Sequence, residues 1–384
     1  MSSFTPITKN ILVIAGDVSG DIHAAGLIRA LKEADPDVRV TSVGGKQMQA
    51  ASDVFLYDLA SKGASGFVEP LKKMPLWIKL MNQIREYMET QNPVALIVVD
   101  FYGFNHQILG MAKHRRIPAY YYVTPQVWAS RQYRAKRLAT LTKKMFTIYP
   151  FEPEFHQKFG GNAVFLGNPL LDQLPAPKDK NFKVPNNKEY AWKLGMLPGS
   201  RIGEIKRLTP VFYQAFKQVL KEFPNTQAYM FLLPDADEQT FLNLIGEKPH
   251  ANFRLVKDKN YELRSQMDFL LACSGTATLE NALLGVPMVV AYKLFWPTYQ
   301  IAKMVIKVPY ISLVNLLSKK PLVKELIQYD ATPRSLAAET MAMFQNPAKL
   351  EAMRGELLKL RASLGEPGVA KRAAAEILRD LTHE

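Results

Sequence analysis

The sequence predicts an α/β protein built from two Rossmann-like halves joined by a linker. Three stretches predict it. Residues 10–14 form an apolar run, followed by the loop Ala15-Gly16-Asp17-Val18-Ser19-Gly20-Asp21 and helical periodicity over 22–32. Strand, glycine loop and helix in that order open a doubly wound sheet. Residues 191–221 start the pattern over, with an apolar run to Leu197, the turn Pro198-Gly199-Ser200-Arg201 and a helical pattern over 204–221. Between the halves, residues 175–190 are polar and rich in proline and lysine, the composition of an exposed linker.

In chain order, residues 38–43 read as the second strand, ending at Gly44-Gly45, and 94–99 as another, with Asp100 at its carboxyl end. In open α/β sheets that edge faces the ligand crevice, so a carboxylate there is either a general base or a helix cap. Residues 119–123 and 144–149 extend the first sheet, and Gly167-Asn168-Pro169 closes the first half. Arg131, Arg134, Lys136 and Arg137 lie on one predicted helix, where they serve either an anionic ligand or a solvated face. In the second half, 228–233, 252–256 and 267–272 are strands. The last of these leads into Ser274-Gly275-Thr276-Ala277-Thr278, a helical stretch ended by Gly285-Val286-Pro287, and a further strand over 288–292. A helix that starts at such a small-residue turn carries unpaired N–H donors and partial positive charge, and suits a phosphate. Glu280, in its first turn, is placed to reach a ribose hydroxyl. An ordinary βαβ turn remains the alternative reading.

Composition narrows the function classes. With 384 residues and 48% hydrophobic content, each half can bury its own core. The net charge of +14 points to anionic partners. No homeodomain, zinc-finger or RNP-type pattern accompanies the basic residues, so an anionic membrane surface is preferred and nucleic acid is not expected. The single cysteine, Cys273, excludes an intrachain disulfide and reads as a buried structural thiol. The six histidines show no metal-ligand spacing, so neither metal nor cofactor is expected. The loop at 15–21 is not GxGxxG, which weakens a dinucleotide reading. The first ten residues lack a signal-peptide pattern, and no run is apolar enough to span a bilayer. A cytoplasmic protein resting on a membrane is the expectation. Residues 64–81, ASGFVEPLKKMPLWIKLM, interleave bulky apolar side chains with lysines, and prolines at 70 and 75 break any long helix. Phe67, Leu71, Lys72, Lys73, Trp77 and Ile78 are therefore candidates for a membrane-docking face, with a lid or core helix pair as the alternative.

Several segments together resemble one family, the lipid-A-disaccharide synthases, bacterial membrane-associated glycosyltransferases. They are AGDVSGDIHAAGLIRALK (15–32), GFVEPLKKMP (66–75), the strand ending in Asp100 followed by FN (104–105), YYVTPQVWA (121–129), PFEPEFHQKFGG (150–161), LGNPLLD (166–172), LPGSRIGEI (197–205), SGTATLENALLGVPMVVAYK (274–293) and KVPYISLVNLL (307–317). The resemblance implies a GT-B fold, two Rossmann-like domains facing across a cleft. The first would span 1–172, joined by helices over 340–384, and the second 190–339. It implies an inverting transfer from UDP-2,3-diacylglucosamine to 2,3-diacylglucosamine 1-phosphate, giving a β-1,6-linked disaccharide phosphate and UDP. Carried over by residue, Asp100 would be the general base. Gly199, Ser200, Arg201, Ser274, Gly275, Thr276, Ala277, Thr278 and Glu280 would bind the UDP donor. Asp17, Ser19, Gly20, Asp21 and Asn105 would line the acceptor side. Inner-membrane lipids would be partners on the cytoplasmic face, with a homodimer left open. Four positions depart from the family pattern: Asp17 stands for a glutamate, Gly103 for a second aspartate, Asn168 for a histidine and Ser130 for a tryptophan. These keep two alternatives open, a divergent paralogue resembling UDP-sugar 2-epimerases and a non-catalytic nucleotide-sugar or lipid-binding protein.

Overall fold

Two parallel sheets make up the computed structural model, which describes residues 9–60, 74–129, 131–179, 191–257, 261–295, 299 and 309–382. Contacts divide the chain into one unit of Met1–Asp172 with Leu364–Glu384 and another of Gln173–Ser363.

The first unit's strands are β1 (Lys9–Ala15), β2 (Val38–Gly44), β3 (Val54–Asp58), β4 (Ala95–Val99), β5 (Ala119–Tyr122), β6 (Lys144–Thr147) and β7 (Ala163–Phe165), in the order β3-β2-β1-β4-β5-β6-β7. Helices α1 (Val18–Ala34), α2 (Lys46–Ala51), α3 (Met74–Gln91), α4 (Tyr102–His114), α5 (Arg134–Leu141) and α6 (Glu152–Gln157) accompany them. Both faces of the sheet are covered, which is why its strands read as unbroken apolar runs. Ile11, Val13 and Ala15 of β1 pack with Leu27 and Ile28 of α1, while Leu12 and Ile14 face Ile84 of α3 and Phe104 and Ile108 of α4. The strand order reverses between β1 and β4, whose register ends at Ala15 opposite Val99. Ligands bind at the carboxyl ends of strands on either side of such a reversal.

The second unit repeats the plan with β8 (Lys193–Leu197), β9 (Gln227–Phe231), β10 (Phe253–Val256), β11 (Phe269–Cys273), β12 (Met288–Tyr292) and β13 (Lys324–Ile327), in the order β10-β9-β8-β11-β12-β13. Its helices are α7 (Ile202–Glu222), α8 (Glu238–Ile245), α9 (Thr276–Leu283), α10 (Leu313–Ser318), α11 (Pro333–Phe344) and α12 (Pro347–Ser363). Here the order reverses between β8 and β11.

The expected assignment of 340–384 to the first unit is corrected for residues 340–363. Phe344, at the end of α11, stacks on Trp192 with ring centroids 4.3 Å apart, and Leu350 of α12 joins the same core. Arg354 and Arg361 donate to the carbonyls of Gly285 and Leu283, at 2.6 and 2.7 Å, locking α12 to the end of α9. Only the last helix, α13 (Val369–Thr382), lies in the first unit, with Ala373, Ala374 and Ile377 in its core. Asp172 starts that helix by accepting the N–H groups of Gly368, Val369 and Ala370 at 2.6, 3.1 and 2.9 Å. Phe344→Ala is expected to cost about 3–5 kcal/mol, the usual loss for a buried aromatic. Urea unfolding followed by circular dichroism checks it.

Candidate active site

In the first unit the reversal point brings Asp17, after β1, and Asp100, after β4, to one edge. Asp17 caps α1, its Oδ1 accepting the Gly20 N–H at 2.6 Å. Asp100 and Phe101 both take left-handed backbone, each with φ of 44°. For non-glycine residues that costs about 1–2 kcal/mol apiece, so the surroundings must enforce it. They do so through three contacts on Asp100. Its N–H donates to the Val123 carbonyl at 3.1 Å, and its carbonyl accepts from Tyr121 Oη at 2.5 Å and Asn105 Nδ2 at 2.7 Å. Oδ1 accepts the Phe101 N–H at 2.8 Å. Burial, and then the neighbouring charge of Asp17, push the Asp100 carboxyl up to about 6. Burial also raises Asp17. A carboxylate with that affinity for protons, at a ligand-facing strand end, is suited to general-base work near neutral pH.

The Phe101 ring lies directly on Gly16, where an added Cβ would stand 2.0 Å from the ring. Gly16→Ala must therefore move Phe101 and, with it, the turn that carries Asp100. Turnover is expected to fall by about 10- to 100-fold, with about 1–3 kcal/mol of stability lost to overpacking. Steady-state kinetics and thermal unfolding check the two effects.

Three acceptor-side expectations are corrected by the geometry. Asp21 is buried, and both its oxygens are engaged by the start of α2. Oδ1 accepts from Gly45 and Met48 at 2.8 and 3.0 Å, and Oδ2 from Gln47 at 3.0 Å. Asn105 is fully buried, its amide donating to the Val99 and Asp100 carbonyls, so it supports the site and does not face a ligand. Gly20 is buried beneath Asp17, with the Asp17 Oδ1 2.8 Å from where a Cβ would stand. Ser19 is exposed. Of the departing positions, Asn168 is buried and holds the Ile148 carbonyl and the Leu170 N–H. Gly103 faces open space, so a side chain there meets no obstacle. Ser130 lies outside the described residues.

Glu152, which the sequence reading did not single out, is a third carboxyl of this unit with raised proton affinity. It is fully buried and accepts from the N–H groups of Ile148 and Tyr149, both at 2.9 Å, and from Trp128 Nε1 at 2.8 Å. Burial pushes it up to about 7. All its partners are structural, and it pins the segment after β5 to the segment after β6.

In the second unit, Gly199 has φ of 116°, a conformation that favours glycine, and a Cβ there would stand 2.6 Å from Glu204. Glu204 accepts the N–H groups of Ser200 and Arg201 at 3.2 Å each and pairs with the Arg201 guanidinium at 3.0 Å. The loop is thus ordered while the Arg201 side chain stays 76% exposed. Across the reversal point, Gly275 and Thr276 open α9 on the surface, and no side chain caps it. Ser274 Oγ donates to the Ile311 carbonyl at 3.0 Å. Thr278 is buried and its hydroxyl bonds the Gly275 carbonyl, which corrects its assignment as a direct donor contact. Burial drives the Cys273 thiol up to about 12, which makes it an inert core group.

Sequence reasoning missed four supporting residues of this unit. Arg264 holds Glu280 in an ion pair at 2.8 Å and lies over the Tyr261 ring. Glu325 gathers the Ile311 and Ser312 N–H groups, Ser312 Oγ and Asn315 Nδ2 at 2.8–3.0 Å, fixing the SLVN segment against β13. At the carboxyl ends of β12 and β13, Arg207 and Lys293 line a cavity of about 280 Å³ with Leu294, Gln328 and Tyr329. Lone arginines, lysines and glutamates carry no local motif, so nothing in the sequence singled these out.

Phe67, Leu71, Lys72 and Lys73 lie outside the described residues. Trp77 packs edge-on against Phe101 and Phe104, with centroids 6.1 and 5.8 Å apart, while Ile78 beside it is 55% exposed. No helix among the described residues is long and apolar enough to cross a membrane.

A model of the lipid-A-disaccharide synthetase family matches residues 11–377. A lipid-A-disaccharide synthase from Syntrophus aciditrophicus is 36% identical over 376 residues, covering 97% of this chain and 97% of that protein. Among solved structures, a putative UDP-N-acetylglucosamine 2-epimerase from Listeria monocytogenes superposes with a TM-score of 0.66 at 14% identity, covering 98% of both chains. The calicheamicin glycosyltransferase does so with a TM-score of 0.61 at 16% identity, covering 98% of this chain and 99% of that one. At such identities the structures establish the fold alone, which is GT-B.

Proposed function

We propose a chemistry for this site on one premise: the chain belongs to the lipid-A-disaccharide synthase family. It is an inverting glycosyltransferase that joins UDP-2,3-diacylglucosamine to 2,3-diacylglucosamine 1-phosphate. The products are the β-1,6-linked disaccharide 1-phosphate and UDP. The family match sets aside the epimerase-like and non-catalytic readings, since the epimerase likeness is one of fold.

In the proposed mechanism, Asp100 takes the proton from the acceptor's 6-hydroxyl as that oxygen attacks the donor's anomeric carbon from the face opposite UDP. The glycosidic bond to the diphosphate breaks, and negative charge grows on the departing UDP. The N–H groups at the start of α9 and the Arg201 guanidinium stabilise that charge. Glu280, oriented by Arg264, accepts from the ribose. Asp17 borders the acceptor. The observation that supports this reading most is the raised proton affinity of Asp100 at the reversal point of the first sheet. Mass spectrometry of the product from the two acyl sugars tests it. A tetraacyl disaccharide monophosphate is expected, and hydrolysed donor alone would remove the transferase assignment.

Both substrates carry acyl chains, and the chain's charge of +14 favours anionic lipid. Peripheral attachment to the cytoplasmic face of the inner membrane is therefore part of the proposal, as is a homodimer. Flotation with anionic vesicles and sedimentation of the purified chain test these two points.

A further inference from the structure

We propose that Tyr121 and Asn105 are positioning residues for Asp100, clamping its carbonyl so that the strained turn presents one carboxylate oxygen to the acceptor. The proposal rests on the reading of Asp100 as the base.

Tyr121 Oη and Asn105 Nδ2 both point at the Asp100 carbonyl oxygen, at 2.5 and 2.7 Å, which fills both of its lone pairs. Asn105 also holds the preceding carbonyl, that of Val99, at 3.1 Å, so one side chain grips two successive peptide groups. Its own backbone N–H donates to the Phe101 carbonyl at 3.2 Å, closing the first turn of α4. The Asp100 N–H is held by Val123, itself at φ of 60°. Every backbone group of Asp100 is thus committed, and Oδ1 is occupied by the Phe101 N–H. No described residue donates a hydrogen bond to the other oxygen of Asp100, Oδ2, which leaves it to meet the acceptor hydroxyl. Tyr121 lies wholly within the core. Burial, and then the Asp100 charge, hold its phenol well above the usual range, so the hydroxyl keeps its proton and remains able to donate to the Asp100 carbonyl. Two donors on one carbonyl are more than backbone pairing needs. They are what a turn of two consecutive left-handed non-glycine residues needs in order to persist.

The test uses Tyr121→Phe, which keeps the ring and removes one oxygen, and Asn105→Ala, each made in the wild-type chain and in an Asp100→Asn background. In the wild type, Tyr121→Phe is expected to lower kcat by about 10- to 100-fold, the scale of a misplaced catalytic group. KM for the donor and the affinity for UDP should stay unchanged. The acid limb of the pH profile should move to lower pH, because a released carboxylate is better solvated. In the Asp100→Asn background the same change should cost no further activity, since both act through one group. Wild-type kcat with an unmoved acid limb would overturn the positioning role while leaving the base assignment standing. An equal loss in both backgrounds would overturn it too, by showing a general structural effect. Full turnover by Asp100→Asn itself would remove the base reading, and the positioning proposal with it.

Discussion

Asp100→Asn is expected to lower turnover by about 10²–10⁴-fold, the usual contribution of a general base, with the affinity for UDP unchanged. The substitution keeps the size of the side chain and an oxygen for the Phe101 N–H, but removes the group that accepts the hydroxyl proton. It should also stabilise the fold. The Asp100 carboxyl is raised to about 6 from its ordinary 3.8, so the folded chain holds its proton more tightly than the unfolded chain. A raised carboxyl is a stability cost that is absent at low pH and grows as pH climbs from about 4 to 6. At neutral pH, relief of that cost is worth at most about 3 kcal/mol. A variant both less active and more stable is the pattern for a residue kept for chemistry at the expense of the fold. Thermal unfolding and steady-state kinetics on one preparation measure both.

Arg201→Ala is expected to weaken UDP binding by about 1.5–3 kcal/mol, the worth of a hydrogen bond to a charged group, or roughly 10- to 150-fold in Kd. Arg201 is paired with Glu204 yet 76% exposed, so it can turn to a diphosphate with little desolvation cost. Loss of the side chain leaves the backbone loop in place, because Glu204 still accepts the N–H groups of Ser200 and of residue 201. Isothermal titration with UDP measures the effect, and a Kd within twofold of wild type would move the diphosphate to other cations, with Arg207 and Lys293 of the neighbouring cavity lining as candidates.

The fold was legible because both sheets are buried on both faces, so their strands appear as apolar runs and their ligand edges as runs of small and polar residues. Asp100 was legible for the same reason: it is the first polar residue after the run 95–99. Asp21 was misread because a carboxylate in a glycine loop looks alike whether it meets a ligand or the start of α2. Only the position of Gly45, 24 residues on, decides between them. Thr278 was misread because its local bond to the Gly275 carbonyl is a matter of rotamer, not of sequence. Arg264, Glu325 and Tyr121 were missed because their partners lie 16, 10–14 and 21 residues away. The fate of 340–363 turned on Phe344 meeting Trp192, a contact between residues far apart in the chain.

The pH dependence of kcat/KM tests most directly whether Asp100 frees the acceptor hydroxyl, since it reports the essential groups of the free enzyme. The account predicts a rate that rises tenfold per pH unit below about 6, levels above it, and loses this limb in Asp100→Asn. A profile without an inflection between roughly pH 5 and 7, or one whose inflection survives in Asp100→Asn, would contradict it.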